Sequence, residues 1–156
     1  MKITKNNHES NILDCEINNK VYFDVPELGV KFLIDKNIKD DLIYKYYTGT
    51  ASNSLGYVSF STKSLIELDS ACSSKVSVAP LGILLKNKGK FNALSHSDGL
   101  NMNKADYKQF DDYYIIYNSP QAPCSENSLV NKYALDLLDK IKIKSEREHS
   151  CIIELK

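Results

Sequence analysis

The sequence predicts an α+β protein whose sheet is mainly antiparallel. Three observations support this fold class: short runs of alternating apolar residues recur, turn signals separate most of them, and two helical segments occur without a strict strand–helix alternation. At 156 residues the chain is most simply one domain, able to bury roughly 70% of its unfolded surface. We therefore expect a single α+β domain over 20–156, preceded by a polar, Asn-rich arm or tether over 1–19.

The strands are predicted from period-two alternation and from short apolar runs. Val21, Phe23 and Val25 share a face, and the alternation resumes after "PELG", which is typical of a hairpin. The later run "DYYIIYNS" is apolar on both faces and therefore indicates a central strand. The predicted strands are 20–25, 30–34, 42–48, 56–61, 80–86 and 112–119, with a closing edge strand at 151–156.

Two helices are predicted, one short and one long. Ser64 and Glu67 form a capping-box pattern, with Thr62 as an alternative cap, and the apolar spacing ends this helix near Cys72. Ser125 is the predicted cap of the long C-terminal amphipathic helix, which we expect to cover one face of the sheet. Its apolar stripe comprises Leu129, Val130, Tyr133, Ala134, Leu137, Leu138 and Ile141.

The charge composition argues against nucleic acid and anionic lipid as partners. Lys+Arg and Asp+Glu are equal at 20 each, and the lysines are interspersed with acids, so no basic patch is expected. No segment approaches the roughly 18 apolar residues of a membrane span, and the N-terminal segment lacks the apolar core of a signal peptide. Two interpretations fit: a cytosolic protein, or a domain that begins after an export or anchor segment.

Four cysteines allow three disulfide pairings. Cys72 ends the short predicted helix and Cys124 begins the long one, so the two meet if both helices lie on the same face of the sheet. Cys15 and Cys151 lie near the chain ends, which are often close in compact domains, and form a second plausible pair. This even division favours an oxidising compartment, whereas the alternative is four reduced, buried thiols in a cytosolic protein. The spacing matches no zinc site, so no metal is expected.

Cys124 is the one candidate nucleophile. At a helix start it is either a thiol tuned by the backbone amides or half of a disulfide. A nucleophile needs a base, and only His96, with Asp98 nearby, is a candidate, although a loop histidine is more often solvated. No GxSxG, HExxH, paired-carboxylate or phosphate-binding motif occurs. We expect a protein that is not an enzyme and has no cofactor, with a thiol hydrolase or transferase using Cys124 and His96 as an alternative.

Binding is assigned to the loops, because the core uses the strongly patterned apolar residues. Pro120 and Pro123 stiffen the 118–123 loop, so Asn118 and Gln121 are the predicted binding residues. The alternative is that these two amides only satisfy backbone groups of the turn.

Two further features bear on recognition. The polar 87–109 segment is predicted to be an irregular excursion that supplies further contacts. Tyr44, Tyr46, Tyr113 and Tyr117 follow the core pattern at period two, but Tyr47 and Tyr57 are candidates for exposure, and an exposed tyrosine favours recognition.

Two segments resemble a pattern that recurs in uncharacterised bacterial proteins. "VPELGVKFLIDKNIKDDLIYKY" (25–46) is similar to their strand, "IKD" turn and Tyr-bearing strand, although Leu28 stands where the pattern usually has Trp. "FDDYYIIYNSPQAPCSEN" (110–127) is similar to their Tyr-rich strand followed by "QxxCS". In those proteins the domain typically follows a single N-terminal hydrophobic helix, often pilin-like. The resemblance implies an extracytoplasmic location and a Cys72–Cys124 bond, and it carries no known activity.

At the level of fold, the predicted strand order also resembles the Mog1/PsbP-like α/β/α sandwich, whose members are mostly binding or assembly factors. These features together predict a non-catalytic recognition or assembly module, the soluble head of an anchored or pilus-associated cell-surface protein. Its partner would be a protein or surface ligand, with no insertion of this segment into a membrane. The alternative is a cytosolic protein-binding antagonist of the immunity or anti-defence type.

Overall fold

The computed structural model describes Cys15 and residues 17–92, 107–143 and 146–155. Most of the predicted polar arm and most of the 87–109 excursion, including His96, lie outside these residues. The described strands are β1 (Lys20–Val25), β2 (Val30–Asp35), β3 (Leu42–Tyr47), β4 (Ser54–Thr62), β5 (Ile83–Lys88), β6 (Tyr107–Gln109), β7 (Tyr113–Asn118) and β8 (Ile153–Glu154). The described helices are α1 (Lys63–Leu68), α2 (Ser128–Leu138) and α3 (Glu146–His149).

These strands form two sheets. The smaller sheet has the order β1-β2-β8 and the larger has the order β3-β4-β5-β7-β6. Every pair of neighbouring strands is antiparallel. The α+β class with antiparallel pairing is therefore confirmed, but the expectation of one sheet is wrong.

The β1–β2 hairpin follows the sequence signals closely. Pro26 opens a single 3-10 turn, where its missing N–H is not needed, and Gly29 closes the turn at φ +69°. The amide of Gly29 donates a hydrogen bond to the carbonyl of Pro26 at 3.0 Å. Because few residues other than glycine adopt this left-handed conformation, Gly29 sets the point at which β2 begins.

The two sheets pack on a shared aromatic cluster, which comprises Phe23, Phe32, Tyr44 and Phe60. The Phe32 and Phe60 ring centroids lie 5.5 Å apart at 71°, which is edge-to-face geometry. Phe23 and Tyr44 complete the cluster, with their rings 6.0 Å apart. Phe32 belongs to the smaller sheet and Phe60 to the larger one, so this contact joins the two.

The short helix α1 begins and ends differently from the prediction. Thr62 caps it, with its Oγ1 accepting a hydrogen bond from the amide of Leu65 at 3.0 Å, so the alternative cap is correct and Ser64 is not the cap. The helix ends at Leu68, and a separate 3-10 turn then carries the chain to Cys72.

The long C-terminal helix is the main error of the sequence prediction. α2 has 11 residues and is capped by Asn127, not Ser125. The chain leaves the helix at Asp139, and Ile141 pairs instead with Ile34 at the edge of β2. Ile141 is fully buried there. An apolar residue four positions after Leu137 satisfies helical spacing, but β2 is paired with β8 only at Val30 and Lys31. The rest of β2 offers burial to Ile141 and backbone hydrogen bonds to its neighbours.

The exposure of α2 also differs from the predicted stripe. Leu129 is 75% exposed although it belongs to that stripe, and Leu135 is 63% exposed. Val130 and Leu137 are the buried residues of the helix. The helix therefore buries a narrow face and leaves large apolar side chains on both of its flanks.

The capping assignment leads to a stability prediction. The Asn127 side chain accepts hydrogen bonds from the amides of Leu129 and Val130 at 2.8 and 3.4 Å. We expect Asn127→Ala to lower the free energy of unfolding by about 1 kcal/mol, because these amides lose their partner. Chemical denaturation of Asn127→Ala, with the exposed neighbour Ser128→Ala as control, measures the effect. Equal losses in both variants would contradict the assignment.

Candidate functional site

The loop of residues 119–127, which joins β7 to α2, is fixed at both ends. A disulfide links Cys124 to Cys72, with their Cα atoms 5.0 Å apart. Cys72 is itself buried in the 3-10 turn after α1. The loop begins at the end of β7, whose five residues from Tyr113 to Tyr117 are buried. The position of the loop is therefore determined by the core on one side and by the 3-10 turn after α1 on the other.

Side-chain hydrogen bonds add to this anchoring. The Ser125 hydroxyl donates to Asp69 Oδ2 at 2.5 Å, and this bond lowers the pKa of the Asp69 carboxyl from its usual value. Asn131 binds the backbone of Ser125 with both ends of its amide, accepting from the Ser125 amide at 3.1 Å and donating to its carbonyl at 2.8 Å. The loop and the first turns of α2 therefore form one hydrogen-bonded unit.

A groove of about 290 Å³ lies between this loop and α2. We call it the loop–helix groove. It is predominantly apolar, and none of its described lining residues is charged. The lining residues are Pro80, Ser119, Pro120, Gln121, Ala122, Pro123, Cys124, Asn131, Ala134, Leu135 and Leu138.

The structure separates the two predicted binding residues. Gln121 is exposed and lines the loop–helix groove, although its amide also donates to the Ser119 carbonyl at 3.3 Å. Asn118 is the half-buried last residue of β7, in register with Ile83 of β5, and it does not line the groove. Of the predicted site residues, Gln121 and Cys124 therefore come together and Asn118 stands apart.

Both plausible disulfides are present. Cys15 is bonded to Cys151 across a sequence separation of 136, and Cys72 to Cys124 across a separation of 52. None of the four cysteines is free. Because a disulfide sulfur does not titrate, a thiol mechanism at Cys124 would first require reduction of its bond to Cys72. Two disulfides in one chain indicate an oxidising, extracytoplasmic environment.

His149 is a buried polar residue that the sequence analysis did not identify. Its side chain is 1% exposed, and Nε2 accepts a hydrogen bond from the Tyr117 amide at 3.3 Å. β6 pairs with β7 only as far as Ile116, so the imidazole continues the hydrogen-bonding edge of β7. Nothing in the polar stretch "EREHS" distinguishes this histidine from a solvated one, and only the position of α3 beside β6 reveals its role.

The side chain of Tyr117 is also held in place by a hydrogen bond. Its hydroxyl donates to the Leu81 carbonyl at 2.7 Å, and burial raises the pKa of the phenol from its ordinary value. The ring also approaches Gly82 so closely that a Cβ there would lie 2.5 Å from the Tyr117 hydroxyl oxygen. Gly82, at φ +93°, therefore allows the chain to enter β5 beside the end of β7.

Within the described part of the chain, no group of three or more His, Cys, Asp or Glu side chains is placed to hold a metal ion. None of the described helices is both long enough and apolar enough to cross a membrane. No family model, no curated protein and no solved structure matches this chain.

Proposed function

We propose that this protein is a non-catalytic recognition module whose loop–helix groove binds an apolar segment of a protein partner. The observation that carries the proposal is the groove itself, a concave and largely apolar surface formed by an anchored loop and an exposed helix flank. Leu135, a large apolar side chain of the lining, is 63% exposed. Concave surfaces lined mainly by apolar residues, with a few polar groups, are typical of binding sites.

The lining determines the chemistry of the occupant. Both ends of the Asn131 amide are used by the backbone of Ser125, and the Gln121 amide donates within its own loop. The described lining residues carry no charge that would select an anion or a cation. The groove is therefore complementary to aliphatic or aromatic side chains, with Gln121 at its rim available to exchange its weak internal bond for a backbone group of the partner.

The rigidity of the 119–127 loop, which forms one wall of the groove, favours binding as well. Pro120 and Pro123 restrict the backbone of the loop, and the bond between Cys72 and Cys124 fixes its end. A wall that is already ordered loses little conformational entropy when a partner binds. Because this entropy loss is small, we expect recognition at the segment in which the sequence places prolines and a cysteine together.

We place this module on the cell surface, as the head of an anchored or pilus-associated protein, on the basis of the sequence resemblance and the two disulfides. The rival proposal is a cytosolic protein-binding antagonist. The disulfides weigh against it, because cytosolic thiols are normally kept reduced. The thiol-enzyme alternative is weaker, because Cys124 is bonded to Cys72 and would first have to be reduced.

The groove proposal is tested with peptides selected from a displayed random library on the oxidised protein. We expect the enriched peptides to share bulky apolar residues and to bind the Leu135→Asp variant at least about tenfold more weakly, because a carboxylate would be desolvated in the groove. Titration calorimetry measures the affinities.

Leu129→Asp is the matched control. Leu129 is on the same helix and is 75% exposed, but it does not line the groove. The selected peptides should bind this variant as they bind the unmodified protein. Peptides that bind Leu135→Asp and the unmodified protein equally, or a library that yields no binder, would overturn the proposal.

A further inference from the structure

A second concave site lies on the larger sheet, away from the loop–helix groove. It has a volume of about 450 Å³, within the range of small-molecule sites, and we call it the tyrosine slot. Among the residues that the structure describes, it shares none of its lining with the groove. Its lining residues are Gly49, Thr50, Ala51, Asn53, Ser54, Tyr57, Leu85 and Asn87.

One wall of the slot is the ring of Tyr57. Tyr57 is directly opposite Tyr47 on β3 and Leu85 on β5, so all three residues share one face of the sheet. The Tyr47 and Tyr57 rings are stacked, with centroids 5.3 Å apart and planes 11° from parallel. Tyr47 therefore covers one face of the Tyr57 ring, and Tyr57 and Leu85 both line the slot.

Tyr47 is held in turn from outside the slot. Its hydroxyl accepts a hydrogen bond from the Val76 amide at 3.0 Å. The Lys45 ammonium lies 5.5 Å from the centre of its ring, within the range of a cation–π contact. The Tyr57 ring is therefore supported as a fixed platform.

The opposite end of the slot is the β3–β4 loop, which is equally well ordered by hydrogen bonds. The Lys88 amide donates to the Asn53 carbonyl at 2.8 Å, and the Ser54 hydroxyl accepts from the Gly56 amide at 3.1 Å. Gly49 packs so closely on Ser54 that a Cβ would lie 1.6 Å from the Ser54 Oγ position. The loop thus brings Asn53, Thr50 and Ser54 to the edge of the slot, opposite Asn87.

The chemistry of these residues points to one class of ligand. An aromatic ring face attracts the C–H groups of a flat apolar surface, and amides and hydroxyls both donate and accept hydrogen bonds. None of the described lining side chains is charged at neutral pH, so the slot does not select an acidic or a phosphorylated ligand. We propose that the tyrosine slot binds a neutral sugar ring, with one face of the ring on Tyr57 and its hydroxyls on Asn53, Thr50 and the Oδ1 of Asn87, whose Nδ2 donates to the Tyr114 hydroxyl at 3.4 Å.

This proposal is independent of the loop–helix groove, so a failed peptide selection leaves it standing. It is tested by adding a panel of neutral sugars, comprising hexoses, N-acetylhexosamines and their short oligomers, to the isotopically labelled, oxidised full-length chain. We expect at least one sugar to cause saturable amide shifts confined to residues 49–57 and 85–87.

Two variants and a control make the assignment specific. Tyr57→Leu keeps an apolar wall but removes the ring face, and should weaken binding about tenfold. Asn53→Ala alters an exposed loop residue, so it should weaken binding without affecting folding. The control, Tyr22→Leu, changes a half-buried tyrosine on the smaller sheet and should bind the sugar unchanged.

Three results would overturn the proposal. They are the absence of shifts with every sugar of the panel, unchanged affinity in the folded Asn53→Ala protein, and shifts at the slot caused by apolar peptides but not by sugars. Thermal unfolding of each variant identifies any loss of binding that is due to loss of structure.

Discussion

Replacing Cys72 and Cys124 together with alanine is expected to lower the free energy of unfolding by about 4 kcal/mol. The bond closes a loop of 52 residues, and the chain-entropy model assigns a crosslink of that span a stabilisation of this size. The native structure also loses contacts, because Cys72 is fully buried beneath the loop. Chemical denaturation of the oxidised proteins, followed by circular dichroism, measures the difference.

The same double variant should lose affinity for the peptides selected on the loop–helix groove. Without the bond, the side-chain anchors that the described residues still supply to this part of the loop are the hydrogen bonds of Ser125 with Asp69 and Asn131. The matched control removes the Cys15–Cys151 bond, which lies away from the groove lining, and should leave peptide affinity unchanged in the folded protein. An unfolding midpoint equal to that of the unmodified protein would contradict the stabilising role of the Cys72–Cys124 bond.

The strands were predictable because local periodicity determines them. Alternation located β1, β2 and β3 to within one residue, and the doubly apolar run located β7, which lies between two other strands of its sheet. The division into two sheets was not predictable. Period two decides which residues share a face, but not which hairpins pair, and β2 finds its second partner in β8, more than a hundred residues later.

The end of α2 shows the same limit at a single residue. Ile141 continues the helical spacing, yet the Lys142 amide donates to the Leu33 carbonyl and the Asp35 amide donates to the Lys140 carbonyl. These long-range backbone bonds outweigh local helix propensity, which contributes only tenths of a kcal/mol per residue. A single sequence carries no signal for the strand edge that competes with the helix.

The candidate sites were predictable in part for a similar reason. The prolines and Cys124 identified the loop of the groove, but the second wall depends on which flank of α2 is exposed. Tyr47 and Tyr57 were candidates for exposure, whereas the slot also needs the register of β5 against β4. That register shifts between Ser54 and Tyr57 and brings Asn87 opposite Ser54. A bulge of this kind leaves no clear pattern in the sequence.

The second large effect is expected at the aromatic cluster between the sheets. Phe60 is fully buried, and its ring centroid lies 5.5 Å from that of Phe32 and 6.1 Å from that of Tyr44. It also faces Phe23 at 6.5 Å, so its removal leaves a cavity bordered by both sheets. We expect Phe60→Ala to lower the free energy of unfolding by about 4 kcal/mol, the usual cost of truncating a buried phenylalanine.

Phe60→Leu is the matched control, because leucine fills most of the cavity and retains apolar burial while losing the edge-to-face contacts. Phe60→Leu should lower the free energy of unfolding much less than Phe60→Ala does, and the difference between the two variants measures the cost of the cavity. Because the cluster joins the sheets, the unmodified protein should unfold in one cooperative transition, observed at the same midpoint by circular dichroism and by tyrosine fluorescence. A loss below about 1 kcal/mol, or separate midpoints for the two probes in the unmodified protein, would contradict the conclusion that the sheets are stabilised through this shared core.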